Sequence, residues 1–290
     1  MMLGTVDVGK TTTATWLAAA AVLAGRRTAV VDADVGQSDL GPPAAVGWGM
    51  VGRPVRRMAD IALAGLWFVG DTSPQRVYRY VVDGTAALAG CARRRGAQIV
   101  VVDTTGWVEG EDAVAAKLRK IRRLGPRHIL AIQRAGEVEP ILARLPEGTT
   151  VHRLRPAAAV RTRTAAERRV LRERRFAGYF ASAAPVWVDT RRLTFARSTL
   201  FQETWVPPSR VLAAVPPGKL WHLLIGLAGR HGTIMAMGTI TRVEPAAHRL
   251  SVVAPGVLPE AVRLLAWGNL RVAPSGREEG RLSDVPGAAS

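Results

Sequence analysis

The chain has 290 residues, room for one large domain or two modest ones, and 48% of them are hydrophobic, which excludes a largely disordered protein. Lys plus Arg number 40 against 23 Asp plus Glu, a formal charge of +17, and the only lysines are Lys10, Lys117, Lys120 and Lys219. That cationic excess favours polyanionic partners, although an arginine-rich coding composition would produce it too. Cys91 is the only cysteine, so no disulfide or thiolate metal site can form within the chain, which points to a reducing, cytoplasmic compartment. No apolar run is long enough to span a bilayer, so no membrane partner is expected.

In chain order, the strand expected before the first loop is cut to Met1–Leu3, which would cost the sheet most of a central strand. Residues 12–23 are Ala-rich and read as a helix, and 28–31 as a short β-branched strand ending in acidic residues. Residues 66–69 are a further apolar run, 79–94 a helix, 99–102 a strand closing on Asp103, 111–124 a helix and 128–132 a strand. Short, non-alternating strands separated by helices predict an α/β fold whose parallel sheet is covered on both faces. Residues 161–180 read as an arginine-rich helix. After residue 186 short β runs broken by Pro and Gly take over, at 209–214, 220–227, 233–243, 250–253, 262–265 and 270–273. The expected organisation is therefore a P-loop domain over 1–185 with a lid at about 153–181, a small β-rich domain over 186–274, and a disordered tail over 275–290.

Four clusters carry chemistry. Gly4-Thr5-Val6-Asp7-Val8-Gly9-Lys10-Thr11 fits GxxxxGK[ST] at every fixed position. Its backbone N–H groups, with the start of the helix at Thr12, suit the phosphates of ATP. Lys10 reaches the outer phosphate oxygens and the Thr11 hydroxyl suits Mg2+. Asp32 and Asp34 stand at the end of a strand, where Asp34 is placed to approach Mg2+ or to take a proton from an attacking hydroxyl. Val100-Val101-Val102-Asp103 is a Walker B pattern, with Asp103 near the magnesium shell. The sequence Asp103-Thr104-Thr105-Gly106 also fits the DxxG of a GTPase, but no guanine-reading NKxD follows the next strand. Arg168, Arg172 and Arg175 share a helical face at i, i+4 and i+7, suited to a transferring phosphoryl group or simply to solvent.

Together and in this order the clusters resemble the polynucleotide 5′-hydroxyl kinase family. GTVDVGKTT resembles the family's GPTDVGKTT, departing at Thr5 and Val6; DADVGQSDLGPP, FVGDTSP, DTTGWVEG and RTRTAAERRVLRERRFAGYF resemble its later motifs. The likeness extends from Gly4 to about Val272. The resemblance implies ATP-dependent phosphorylation of the 5′-hydroxyl end of RNA or DNA. It implies Lys10 and Thr11 on phosphate and Mg2+, Asp34 as general base, and Thr104 beside the metal. Arg163 and Arg168 would be lid arginines, and Gln37, Thr72 and Arg172 would lie on the acceptor side. A P-loop switch or assembly NTPase without a kinase acceptor is the alternative.

Overall fold

The computed structural model describes residues 1–193, 195–198, 205–206 and 216–282; the strand expected at 209–214 lies outside them. Two compact units divide the chain. The first comprises Met1–Trp67 and Ser73–Arg168, the second Phe68–Thr72 and the chain from Arg169 onward.

The first unit is α/β. Its elements are β1 (Met2–Leu3), α1 (Lys10–Leu23), β2 (Thr28–Ala33), β3 (Ala45–Val51), β4 (Gly65–Phe68, whose last residue falls in the second unit), α2 (Pro74–Arg94), β5 (Ile99–Thr104), α3 (Glu111–Leu124), β6 (His128–Ile132), α4 (Glu139–Leu142) and β7 (Thr150–Leu154). The strands form two groups, β1-β6-β7, parallel throughout, and β4-β3-β2-β5. The β2/β5 pair is parallel, but β3 runs antiparallel to β2, a departure from the all-parallel expectation. The reason is the connection. Residues 34–44 contain no helix, and a parallel return needs a crossover of a dozen residues or more.

The first strand is as short as the sequence indicated, yet Met2 and Leu3 are fully buried. Across the gap to the second strand group, the Thr104 hydroxyl donates to the Met2 carbonyl oxygen at 2.9 Å. Ala14 and Ala18 of α1 pack with Met2, Val30 and Val101, so the Ala-rich face of the helix lies close against the strands. Among the described residues no helix is long and apolar enough to cross a membrane.

The division between the units falls after Arg168, within α5 (Ala165–Phe180). This helix starts four residues later than the charge pattern suggested. The Thr164 and Glu167 side chains close a capping box there: the Thr164 N–H donates to Glu167 at 2.7 Å and the Glu167 N–H to the Thr164 hydroxyl at 3.2 Å. Arg161 and Arg163 therefore belong to the approach to the helix.

The second unit is built on a mainly antiparallel eight-stranded sheet. Its strands are β8 (Ala183–Asp189), β9 (Phe195–Ser198), β10 (Trp205–Val206), β11 (Leu223–Ala228), β12 (Ile234–Glu244), β13 (Arg249–Pro255), β14 (Leu264–Val272) and β15 (Glu278–Arg281). The β9/β14 pair is the parallel exception. The runs expected separately at 262–265 and 270–273 fall on one strand, β14, whose Leu265 and Trp267, two residues apart, share one core. Part of the expected tail is ordered too. Strand β15 pairs with β14, Glu278 binds Arg172, and the Arg281 guanidinium lies 3.1 Å from both carboxylate oxygens of the buried Asp71.

Candidate active site

The first unit gathers the P-loop, the ends of β2 and β5, and the start of the lid. Gly9 adopts φ +89°, which a side chain disfavours, and α1 begins directly after it, so the first-turn N–H groups face the loop. Lys10 is buried and its ammonium donates to the Thr5 carbonyl oxygen at 2.6 Å. The Thr11 hydroxyl donates to Asp103 Oδ2 at 2.5 Å, while Asp103 Oδ1 accepts from the Thr104 N–H at 2.8 Å. A Cβ at Gly106 would stand 2.4 Å from the Val6 nitrogen, so the turn after β5 lies directly on the P-loop backbone.

The register of β2 and β5 sets Asp32 opposite Asp103. Asp32 is 1% exposed. Its carboxylate accepts from the N–H groups of Asp34, Asp39 and Leu40 and from the Ser38 hydroxyl, and so organises the loop after β2. Burial and the nearby Asp103 and Asp34 outweigh those donors and push Asp32 up to about 8. Asp103 is raised to about 6, chiefly by burial, against the opposing pull of Lys10 and Thr11. Asp34 is half-buried. Its Oδ1 accepts from the N–H groups of Gly36 and Gln37, and its Oδ2 has no hydrogen-bond partner among the described residues. Gln37 lies beside it, its amide donating to the carbonyl oxygens of Gly36 and Arg168.

Arg163 and Arg168 converge on the P-loop through Asp7. The Asp7 carboxylate accepts from the Arg163 N–H at 2.9 Å, from the Arg163 guanidinium at 3.2 Å and from the Arg168 guanidinium at 3.3 Å. Lys10, Thr11, Asp34, Asp103, Gln37, Arg163 and Arg168 thus belong to one compact unit. Thr72 and Arg172 belong to the other. Arg172 is engaged by Glu278 in a two-point ion pair, at 2.6 and 3.0 Å, which leaves its guanidinium committed to the fold. The Thr104 hydroxyl donates to the Met2 carbonyl oxygen and accepts from Lys117, and Asp103 is the strand-end group that faces Thr11.

Residues 4–182 match the family model described as mRNA cleavage and polyadenylation factor CLP1 P-loop. The chain belongs to this family. It is 27% identical to a polyribonucleotide 5′-hydroxyl-kinase of Pyrococcus furiosus, over 97% of this chain and 90% of that one. It is also 27% identical to the enzyme of that name from Thermococcus kodakarensis, with the same coverage of both chains. A CLP1 homolog of Drosophila melanogaster is 27% identical over 79% of this chain and 60% of its own. Among solved structures, Clp1p in its complex with Pcf11p superposes with a TM-score of 0.70 at 15% identity, covering 93% of this chain and 73% of that one.

For a CLP1 P-loop protein, two polar atoms stand out. Thr5 Oγ1 and Gln37 Oε1 are buried with no hydrogen-bond partner among the described residues. One lies in the phosphate loop and the other beside Asp34, where polar ligands would satisfy both. Sequence reasoning missed Lys117. Its buried ammonium donates to the Thr104 hydroxyl at 3.0 Å, the Thr105 carbonyl oxygen at 2.6 Å and the Thr105 hydroxyl at 3.2 Å, holding the turn that lies on Val6. Burial, with Lys120 and Lys10 near, pulls its pKa well down. The signal was present: Lys117 and Lys120 fall among the apolar residues of an amphipathic helix in a chain with only four lysines.

Proposed function

We propose that this CLP1-family chain transfers the γ-phosphate of ATP to the 5′-hydroxyl end of RNA. The observation that carries the reading is the grouping of a complete P-loop, the open Oδ2 of Asp34 and two arginines tethered at the loop mouth. The names of the archaeal relatives supply the acceptor. The triphosphate lies along the P-loop and the α1 N-terminus. Asp34 takes the proton of the 5′-hydroxyl as the 5′-oxygen bonds to the γ-phosphorus and the bond to the β-phosphate oxygen breaks, releasing ADP. Lys10, Arg163 and Arg168 exchange the protein oxygens they now hold for phosphate oxygens and offset the charge that develops.

The Thr11 hydroxyl and the Asp103 carboxylate are hard oxygen donors, and a cation would offset the burial that penalises the Asp103 anion, so these residues would hold Mg2+. Magnesium bound there would neutralise charge on the phosphates. We place the protein in the cytoplasm on its single cysteine, Cys91.

The test is transfer of label from γ-labelled ATP to 5′-hydroxyl oligonucleotides of RNA and DNA, with GTP as a second donor. Lys10→Ala and Asp34→Asn should each abolish the labelled product. Full labelling by Asp34→Asn would remove Asp34 as base. Nucleotide hydrolysis that ignores added 5′-hydroxyl RNA, with no labelled product, would replace the kinase by an NTPase switch.

A further inference from the structure

The groove between α2 and α3 carries charge that transfer at the P-loop does not use. Helix α3 buries Ala113, Val114, Ile121 and Leu124 on its inner face. On its outer face Arg122 and Arg123 stand at i+3 and i+4 from Arg119, which sets each of them about 5–6 Å from it. With Val82 and Asp83 of α2 they line an open groove of about 430 Å³. All three are exposed, and none forms an ion pair or hydrogen bond among the described residues. The helix dipole favours cations in the last turn and so accounts for Arg122 and Arg123 in part. It does not account for Arg119 or for a shared groove.

A second observation shows where the groove leads. Val82 also borders a recess of about 20 Å³ walled by Tyr78, Thr105, Trp107, Lys117 and Lys120, at the turn that follows Asp103. Lys120 is 4% exposed, yet it forms no hydrogen bond or ion pair among the described residues. Only the through-space pull of Asp34, Asp103 and Asp32 offsets its burial, so an anion in direct contact would stabilise it further. The cations therefore run from the end of β5, past two aromatic rings, to an exposed arginine face. A basic groove beside aromatic side chains is an arrangement that holds single-stranded nucleic acid.

We propose that the α2/α3 groove is the track for the phosphodiester backbone of the acceptor strand, beyond the nucleotide that receives the phosphate. The proposal rests on the kinase reading for the strand's direction, but not for its binding. Charge complementarity selects the occupant: three unpaired guanidiniums face one carboxylate, Asp83. The strand is read as a polyanion rather than as a sequence, so long acceptors gain from the groove and short ones do not.

The experiment compares the wild-type chain with Arg119→Gln/Arg122→Gln/Arg123→Gln, and with Arg26→Gln/Arg53→Gln/Arg56→Gln, three exposed arginines outside the groove. Binding of a long, fluorescein-labelled 5′-hydroxyl oligoribonucleotide is followed by anisotropy over a salt series. The groove variant is expected to bind about tenfold more weakly. Its salt slope should be lower by about 2, since each single-strand phosphate left without a cation removes about 0.7 from the slope. The Arg26/Arg53/Arg56 variant should change far less. Replacing the three groove arginines by lysine should restore most of the slope, since both are cations toward phosphate. In kinase assays the groove variant should raise KM for the long acceptor and leave KM for a dinucleotide unchanged.

Equal losses in the two glutamine variants, or an equal rise in KM for the dinucleotide, would overturn the track. A wild-type chain that binds through the groove but labels no acceptor would keep the track and refute the kinase reading. Labelling that is normal in the groove variant at every acceptor length would refute the track alone.

Discussion

Asp7 gives the sharpest test of how the lid arginines are held at the P-loop. Its side chain is 7% exposed, that of Arg168 is 26% exposed, and they meet at a single point, 3.3 Å apart. A fully exposed pair contributes about 0.2–1 kcal/mol, and breaking a fully buried one costs about 3–5 kcal/mol. This single-point, partly screened pair belongs near the lower range, so a coupling of about 1 kcal/mol is expected. Asp7→Asn isolates the charge. Residue 7 adopts φ +52°, which asparagine tolerates, and the amide oxygen can still accept from the Arg163 N–H.

The assay is a double-mutant cycle of Asp7→Asn and Arg168→Gln, read by urea unfolding and by turnover. The double variant should be about 1 kcal/mol more stable than the sum of the single effects implies. Turnover should separate the roles. Arg168→Gln removes a cation from the developing charge and should lower kcat by about 10²–10³-fold. Asp7→Asn leaves both arginines in place and should cost about tenfold at most, the loss of roughly 1.4 kcal/mol of transition-state positioning. Additive stabilities, or a turnover loss for Asp7→Asn as large as that for Arg168→Gln, would refute this account of the lid.

Arg172→Gln leaves Glu278, whose side chain is 9% exposed, without its two-point partner; unfolding should become easier by about 2–3 kcal/mol, with the acceptor KM unchanged. A raised KM without loss of stability would return Arg172 to the acceptor. Asp32→Asn should alter the pH dependence of stability. An acid raised from 3.8 to about 8 stabilises the fold fully below about pH 4 and loses that contribution as pH rises toward 8. The wild-type protein should therefore lose thermal stability relative to Asp32→Asn across that window, and parallel curves would exclude the shift. Lys117→Met removes three donors from Thr104 and Thr105. The Thr105 carbonyl, left with only the long 3.5 Å contact from the Thr104 hydroxyl, costs about 1–3 kcal/mol, and relief of a buried ammonium offsets part of that. Melting should shift by only a few degrees while turnover falls about tenfold; a large melting loss with unchanged turnover would make Lys117 purely structural.

The sequence by itself determined the chemistry-bearing segments of the first unit. GxxxxGK[ST] needs a helix directly after it, and the helix is α1. Residues 99–102 and 128–132 read as strands because β-branched and apolar runs without alternation suit strands covered on both faces, and they form β5 and β6. The capping box at Thr164 and Glu167 was equally legible, although the arginine pattern disguised where α5 starts.

Only the tertiary structure decided what those segments face. Asp32 and Asp103 meet because of the β2/β5 register, a pairing across 71 residues that no local pattern encodes. Asp7 reads as an ordinary P-loop position until Arg163 and Arg168 return to it from more than 150 residues away. Arg172 and Arg168 look alike on a helical repeat, yet one meets Glu278 and the other Asp7. Periodicity fixes which side of an element a residue occupies; the partner there depends on a fold that brings distant segments together, and burial then sets how strongly their charges act.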